Sequence, residues 1–313
     1  MDGIILCNKP TGITSNKIVR NLSKKFKIKA GNTGILDLSA EGLLIIVIGK
    51  ATKFTQYFQN LDKEYIATGE LGKETDTLDK NGKIVKTASI SVNEKDIAKI
   101  IKSFEGKIAM IPPLYSSKKI NGKRAYKYAI KKENIELKPV LVNIYNIEII
   151  DINLPYFKIK VNCSSGTYIR SLIKLIGEKA KSFAYMYDLK RTKIGKFSIE
   201  DAKDYQYLLE IDEEKFKSLI IPINEALYFF NKIYIDDDDV KKFKNGQKIK
   251  IAKTDGIDFL NYKNNLFTKD EDNIYFKNSV LKDGDILKIV DLNDNIIGIG
   301  IREKKKIQPK IVL

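Results

Sequence analysis

The sequence predicts an α+β protein, a large domain of strands and helices followed by a small all-β one. Three observations predict it. Through about residue 231, apolar strand-like runs are interleaved with segments whose apolar residues recur every three or four positions. From about 233 the texture changes to short strand candidates separated by Gly, Asn and Asp. With 313 residues, 43% of them hydrophobic, the chain is long enough for one large core and one small one.

Residues 3–8 (GIILCN) read as a short buried strand, and Lys9-Pro10-Thr11-Gly12 supplies a turn. Ser15 stands as the N-cap of a helix over 16–26, with Ile18, Val19, Leu22 and Phe26 on one face. Residues 31–34 form a loop, 42–48 an apolar strand and 51–59 a helix. Residues 64–71 alternate as a strand, 72–82 are a polar loop, and Ile97, Ile100, Ile101 and Phe104 mark a helix over 94–104. The span 112–139 is basic, rich in Tyr and too long for a bare loop in a compact domain, so a helix is expected near 123–131. Strands over 141–150 and 156–163, a turn at 164–167, a helix over 168–179 and a strand over 184–190 follow. Residues 201–231 are expected to be helical and to close the large domain, placing the domains at 1–231 and 232–313. Strand candidates in the second are 248–252, 259–261, 273–276, 286–291 and 296–301, with a basic tail ending in one more apolar strand. The acidic run at 236–239 reads as a solvated turn.

The formal charge is +16, from 56 basic and 40 acidic residues. Such a balance suits a polyanionic partner, although Lys-rich composition with abundant Ile and Asn also follows from an AT-rich genome. The absence of histidine is more selective. It excludes Ser-His-Asp and Cys-His triads, two-His metal sites and the commonest general base. Catalysis, if present, falls to carboxylates, Lys, Arg, Tyr or hydroxyls. Two cysteines, Cys7 and Cys163, sit in apolar contexts and read as small buried hydrophobes, so neither a disulfide nor a metal site is expected. No apolar run approaches the ~18 residues of a membrane span, and the N-terminus lacks a secretory pattern. A soluble, cytoplasmic protein is expected.

The sharpest segment is Gly31-Asn32-Thr33-Gly34-Ile35-Leu36-Asp37-Leu38-Ser39-Ala40-Glu41-Gly42-Leu43-Leu44. Glycines frame one aspartate between two leucines, and an apolar strand follows. Such glycines permit close approach of backbone to a ligand. A carboxylate shielded by apolar neighbours is either paired or reactive; on its residues alone, Asp37 also reads as a loop aspartate capping a turn.

The segment resembles the motif G-H-T-G-x-L-D-P-x-A-x-G-x-L of the TruB family of tRNA pseudouridine synthases, matching at Gly31, Thr33, Gly34, Leu36, Asp37, Ala40, Gly42 and Leu44. Further blocks resemble the family in its own order: Lys9-Pro10-x-Gly12-x-x-Ser15, Lys63-x-Tyr65, the loop Gly72-x-x-Thr75-Asp76-Thr77-x-Asp79-x-x-Gly82, and Pro112-Pro113-x-Tyr115-Ser116 followed by Lys119, Gly122, Arg124, Ala125 and Tyr126. The blocks Gly166-Thr167-Tyr168-Ile169-Arg170-Ser171-Leu172 and Leu189-x-Arg191-Thr192-x-x-Gly195-x-Phe197 complete the set. Two positions depart from the family pattern: Asn32 replaces a His and Leu38 a Pro.

The resemblance implies a pseudouridine synthase fold with a mixed, largely antiparallel sheet, an RNA-gripping insertion at about 112–139 and a PUA-like RNA-binding domain at 232–313. It implies conversion of uridine to pseudouridine at position 55 in the T arm of tRNA, with Asp37 as the catalytic carboxylate and Arg170 pairing with it. Tyr65, Tyr168 and Leu189 would hold the uracil, and Lys9, Asn32, Asp76, Lys119 and Arg124 would contact RNA. No cofactor, metal, membrane or obligate protein partner is implied, and the chain is expected to act as a monomer. A tRNA-binding folding factor without catalysis is the rival expectation, and a synthase acting on guide RNA or rRNA a second. Read from the residues alone, Tyr65, Tyr168 and Leu189 also suit an ordinary core, and Arg170 an exposed helix start.

Overall fold

The computed structural model describes residues 1–116, 118–120, 122–131, 133, 135–250 and 282–313. The strand candidates at 259–261 and 273–276 lie outside the described residues. The chain forms two compact units, Gly3–Ile220 and Ile221–Leu313.

The first unit is built on one mixed, largely antiparallel sheet, as expected. Its strands run in the order Lys203–Asp204, Gly3–Lys9, Glu41–Ile48, Ala184–Ile194, Lys63–Leu71, Tyr156–Cys163, Val140–Asn153 and Gly106–Met110. Two of these joins are parallel, at the first pair and between Glu41–Ile48 and Ala184–Ile194; the rest are antiparallel. Helix Ser15–Phe26 lays Ile18, Leu22 and Phe26 on Ile5, Cys7, Leu44 and Ile46 of one sheet face. Helices Glu94–Lys102 and Ile169–Lys179 bury Ile97, Ile101, Leu172, Ile173 and Ile176 with Ile144, Phe157, Ile159 and Val161 in a second core. Both cysteines are buried and unbridged, and burial pushes each thiol up to about 12.

Several local readings are corrected. The cap of the first helix is Thr14, whose hydroxyl accepts from Lys17 N at 3.2 Å; Ser15 is fully buried and serves the neighbouring loop. Gly31 and Asn32 belong to strand Ala30–Asn32, drawn into the sheet by pairing with Glu41–Ile48. The 72–82 loop begins with strand Lys73–Thr75, which closes a hairpin with Ile84–Thr87. The 51–59 segment is a 3₁₀ turn, Gly49–Phe54, running into the α-helix Thr55–Gln59. Within 112–139 the expected helix is present as Ala125–Ile130.

The second unit holds a sheet ordered Asn231–Tyr234, Ile286–Val290, Ile296–Glu303, Lys306–Val312, Ile249–Lys250. Phe243 of helix Asp237–Lys244 fills its core against Ile233, Leu287, Ile289 and Ile297. The acidic run is the start of that helix and not a turn: Asp236 Oδ1 caps Asp239 N at 2.8 Å, and the other acids sit where the helix dipole favours negative charge. The units divide about ten residues before 231. Asn224 Nδ2 donates to Asp294 Oδ2 at 2.8 Å and Lys288 Nζ to the Asn224 carbonyl at 2.7 Å, which fastens the 223–226 helix to the second unit.

Gly42 sits at φ +111° at the parallel join with Arg191, where a Cβ would stand 2.3 Å from the Arg191 carbonyl oxygen. Gly42→Ala is therefore expected to cost about 3 kcal/mol of stability, read as a lower denaturant midpoint. An unchanged midpoint would show that the two strands do not approach so closely.

Candidate active site

Between Asn32 and Glu41 the chain leaves the sheet, and the excursion carries Asp37. Its backbone is pinned at nearly every step. Leu36 N donates to Ser15 Oγ at 3.0 Å, Gly12 N to the Leu38 carbonyl at 2.8 Å, and Ala40 N to the Asp37 carbonyl at 3.2 Å. Lys9 is fully buried beneath it, donating through Nζ to the Ala40 carbonyl at 2.5 Å and the Pro10 carbonyl at 3.0 Å. Burial pushes the Lys9 amine down to about 8, against the opposing pull of Asp37. Of the two roles the sequence leaves open for Lys9, support of the loop or contact with a phosphate, the structure shows the first, with no exposed surface left on the side chain. These pins order the loop even though Leu38 lacks a proline's fixed φ.

Arg170 enters from the helix that follows the Gly166 turn, where φ is +83° and Thr167 Oγ1 donates to the Ser164 carbonyl at 2.8 Å. The residue is 6% exposed. Its guanidinium grips Asp37 with two contacts, Nε to Oδ2 at 2.9 Å and Nη2 to Oδ1 at 3.1 Å. The same fork donates to the Thr77 carbonyl and to the Tyr115 carbonyl, each at 2.9 Å, and lies 3.7 Å from Asp79 Oδ2. Three chain segments therefore hold one planar cation, and its fixed geometry orients the carboxylate. Burial raises the Asp37 carboxyl above the ordinary carboxylate range; Arg170 is the main opposing influence, with Lys9 acting the same way and Asp79 reinforcing the rise.

Asp37 faces a cleft of about 430 Å³, a size usual for small-ligand sites. Tyr65, Tyr168, Arg170 and Leu189 line it, as do Tyr115, Arg124 and Tyr126. Tyr65 and Leu189 are nearly covered, at 9% and 8% exposure. Burial raises the phenols of Tyr65 and Tyr168. The structure thus gathers Asp37, Tyr65, Tyr168, Arg170, Leu189 and Arg124 in one place. Asn32 does not line the cleft; its Nδ2 donates to Asn16 Oδ1 at 3.0 Å, and Asn16 does line it. Asp76 is outside as well, its Oδ1 accepting from Lys83 N at 2.8 Å to shape the hairpin turn. The Lys119 side chain lies outside the described ones. Sequence reasoning missed Asp79, the buried acid of the same motif that lies beside Arg170 and accepts from Thr77 Oγ1 at 2.8 Å; its burial is the signal, and the motif alone does not carry it. Among the described residues no group of Cys, Asp and Glu is placed to hold a metal ion, and no helix is long and apolar enough to cross a membrane.

Residues 20–169 match the model of the TruB family pseudouridylate synthase N-terminal domain. A tRNA pseudouridine synthase B of Clostridium kluyveri is 44% identical over 251 residues, 80% of this chain and 86% of that protein. Another from Caldanaerobacter subterraneus is 34% identical over 313 residues, covering 99% of this chain and 98% of the relative. Among solved structures, a chain of a Cbf5-Nop10-Gar1 complex superposes with a TM-score of 0.72 at 26% identity, over 99% of this chain and 84% of that one. The chain belongs to the TruB family of pseudouridine synthases.

The Arg170 fork predicts a titration. Removing a cation that favours the ionised form raises a carboxyl pKa, so Arg170→Met is expected to move the Asp37 titration to higher pH by about one unit or more. Carboxyl NMR of selectively labelled protein reads it directly, and an unmoved titration would remove Arg170 from control of Asp37.

Proposed function

We propose that the chain converts uridine to pseudouridine in tRNA, at position 55 of the T arm. The observation that carries this reading is the two-pronged Arg170–Asp37 pair at the floor of a cleft walled by tyrosines. The reaction breaks the C1′–N1 bond, turns the uracil and joins C1′ to C5; the C5 proton is lost and N1 gains one, so the change is an isomerisation without redox. Asp37 attacking C1′, adding to C6 or taking a proton on the way to a glycal all require an ionised carboxylate, which is what Arg170 favours. Tyr65 presents its ring to the uracil, and Tyr168 and Leu189 form the walls.

A uridine stacked in a folded arm reaches such a cleft only by flipping out, at a cost of roughly a few kcal/mol. Arg124 and Tyr126 at the cleft, in the span 112–139, suit contact with phosphate and with unstacked bases. The first unit, Gly3–Ile220, carries the chemistry in this reading, and the second is a PUA-like RNA-binding domain whose Arg302 and Lys304–Lys306 offer positive charge. The reading further takes the chain to act as a monomer in the cytoplasm, without an obligate protein partner.

Incubating the purified protein with unmodified tRNA transcript and mapping pseudouridine chemically tests the reading. Wild type is expected to modify one T-arm uridine, and Asp37→Asn none. Binding of tRNA with every uridine left unchanged would instead support the folding-factor alternative. Asn32→His, which restores the family residue next to Asn16, is expected to tighten or speed substrate handling by a few-fold; identical rate and affinity would make the position neutral.

A further inference from the structure

Arg191 is a guanidinium at 2% exposure in the strand Ala184–Ile194. Its Nε donates to the Leu43 carbonyl at 2.8 Å and its Nη2 to the Gly34 carbonyl at 3.1 Å. Those carbonyls stand near the start of the excursion that carries Asp37 and in the strand that follows it. Strand register sets Arg191 directly opposite Tyr65, so both side chains rise from the same sheet face. From that position the guanidinium draws the Tyr65 phenol down against the effect of burial. Among the described residues the cation's hydrogen bonds go to two carbonyls and it has no ion-pair partner, and Tyr65 and Asp37 both favour its charged form.

A buried guanidinium facing neutral partners is costly. Strand pairing alone does not need it, because the adjacent join to Gly42 is made by Arg191 backbone. What only the side chain supplies is a rigid fork that fastens the Asp37 loop from a position directly across the strands from Tyr65. We propose that Arg191 is a positioning residue of the reaction, fixing the Tyr65 hydroxyl relative to Asp37 and the target uracil. The inference rests on reading the cleft as the uridine site.

A double-substitution cycle with Arg191→Met and Tyr65→Phe tests it, using single-turnover rate constants and half-saturation concentrations on tRNA transcript. Arg191→Met is expected to slow the rate about 100-fold while half-saturation stays within about threefold. In the Tyr65→Phe background, where the hydroxyl is already gone, the same substitution is expected to cost at least about tenfold less. Equal losses in both backgrounds would overturn the proposal, since a purely structural role does not depend on that hydroxyl. If circular dichroism shows Arg191→Met to be unfolded, Arg191→Lys, which keeps the charge but not the fork, takes its place under the same criterion. A wild type that binds tRNA but modifies nothing overturns the uridine-site reading itself, whereas an active wild type with additive losses overturns this inference alone.

Discussion

The bidentate contact between Arg170 and Asp37 is the interaction on which the rest of the site depends. A carboxylate recessed among Leu36, Tyr65 and Leu189 loses much of its hydration, and without compensation it would take up a proton. Arg170 provides compensation in a form that also fixes direction, because its planar fork matches the two carboxylate oxygens. Holding that fork in place uses the Thr77 and Tyr115 carbonyls, which brings the hairpin loop and the start of the 112–139 span against the same cation. Chain segments distant in sequence thus converge on one charge.

Beneath this pair lies a layer of buried cations with structural duties. Lys9 holds Ala40, and Arg191 holds Gly34 and Leu43, so the Asp37 excursion is fastened near its start, at its last residue and in the strand that follows it. Ser15 and Gly12 fasten it from the side. The loop gains order from backbone hydrogen bonds where its relatives' motif has a proline. Positive charge under the floor acts in the same direction as Arg170 on Asp37.

Much of this was legible in the sequence. Continuous apolar runs marked the strands at 3–8 and 42–48, which are buried on both faces, and periodicity with local punctuation marked the strands at 64–71 and 156–163 and the helices at 16–26, 94–104 and 168–179. Asp37, Tyr65, Tyr168, Arg170 and Leu189 were named from ordered motifs, and the fold brings them into one cleft. What escaped the sequence depends on pairing between distant strands. Lys9 looks like a solvated turn residue until Glu41–Ile48 and the Asp37 loop cover it. Arg191 looks like one more basic residue until register places it opposite Tyr65. Asp79 has no role legible in the motif, and only the folded loop brings it beside Arg170. The helix cap fell one residue early because Thr14 and Ser15 are both good caps and only the Leu36 backbone distinguishes them.

The central claim is that Asp37, held by Arg170, meets the target nucleoside in this cleft. A crystal structure of the protein bound to a T-arm stem-loop carrying 5-fluorouridine at the target position, where C5 has no removable proton, tests it most directly. The account predicts the nucleoside flipped out of the helix, its ring against Tyr65 and its sugar or base in contact with the Asp37 carboxylate, with Arg170 still gripping that carboxylate. A target base left in the stack, or bound with Asp37 turned away from it, would contradict the account.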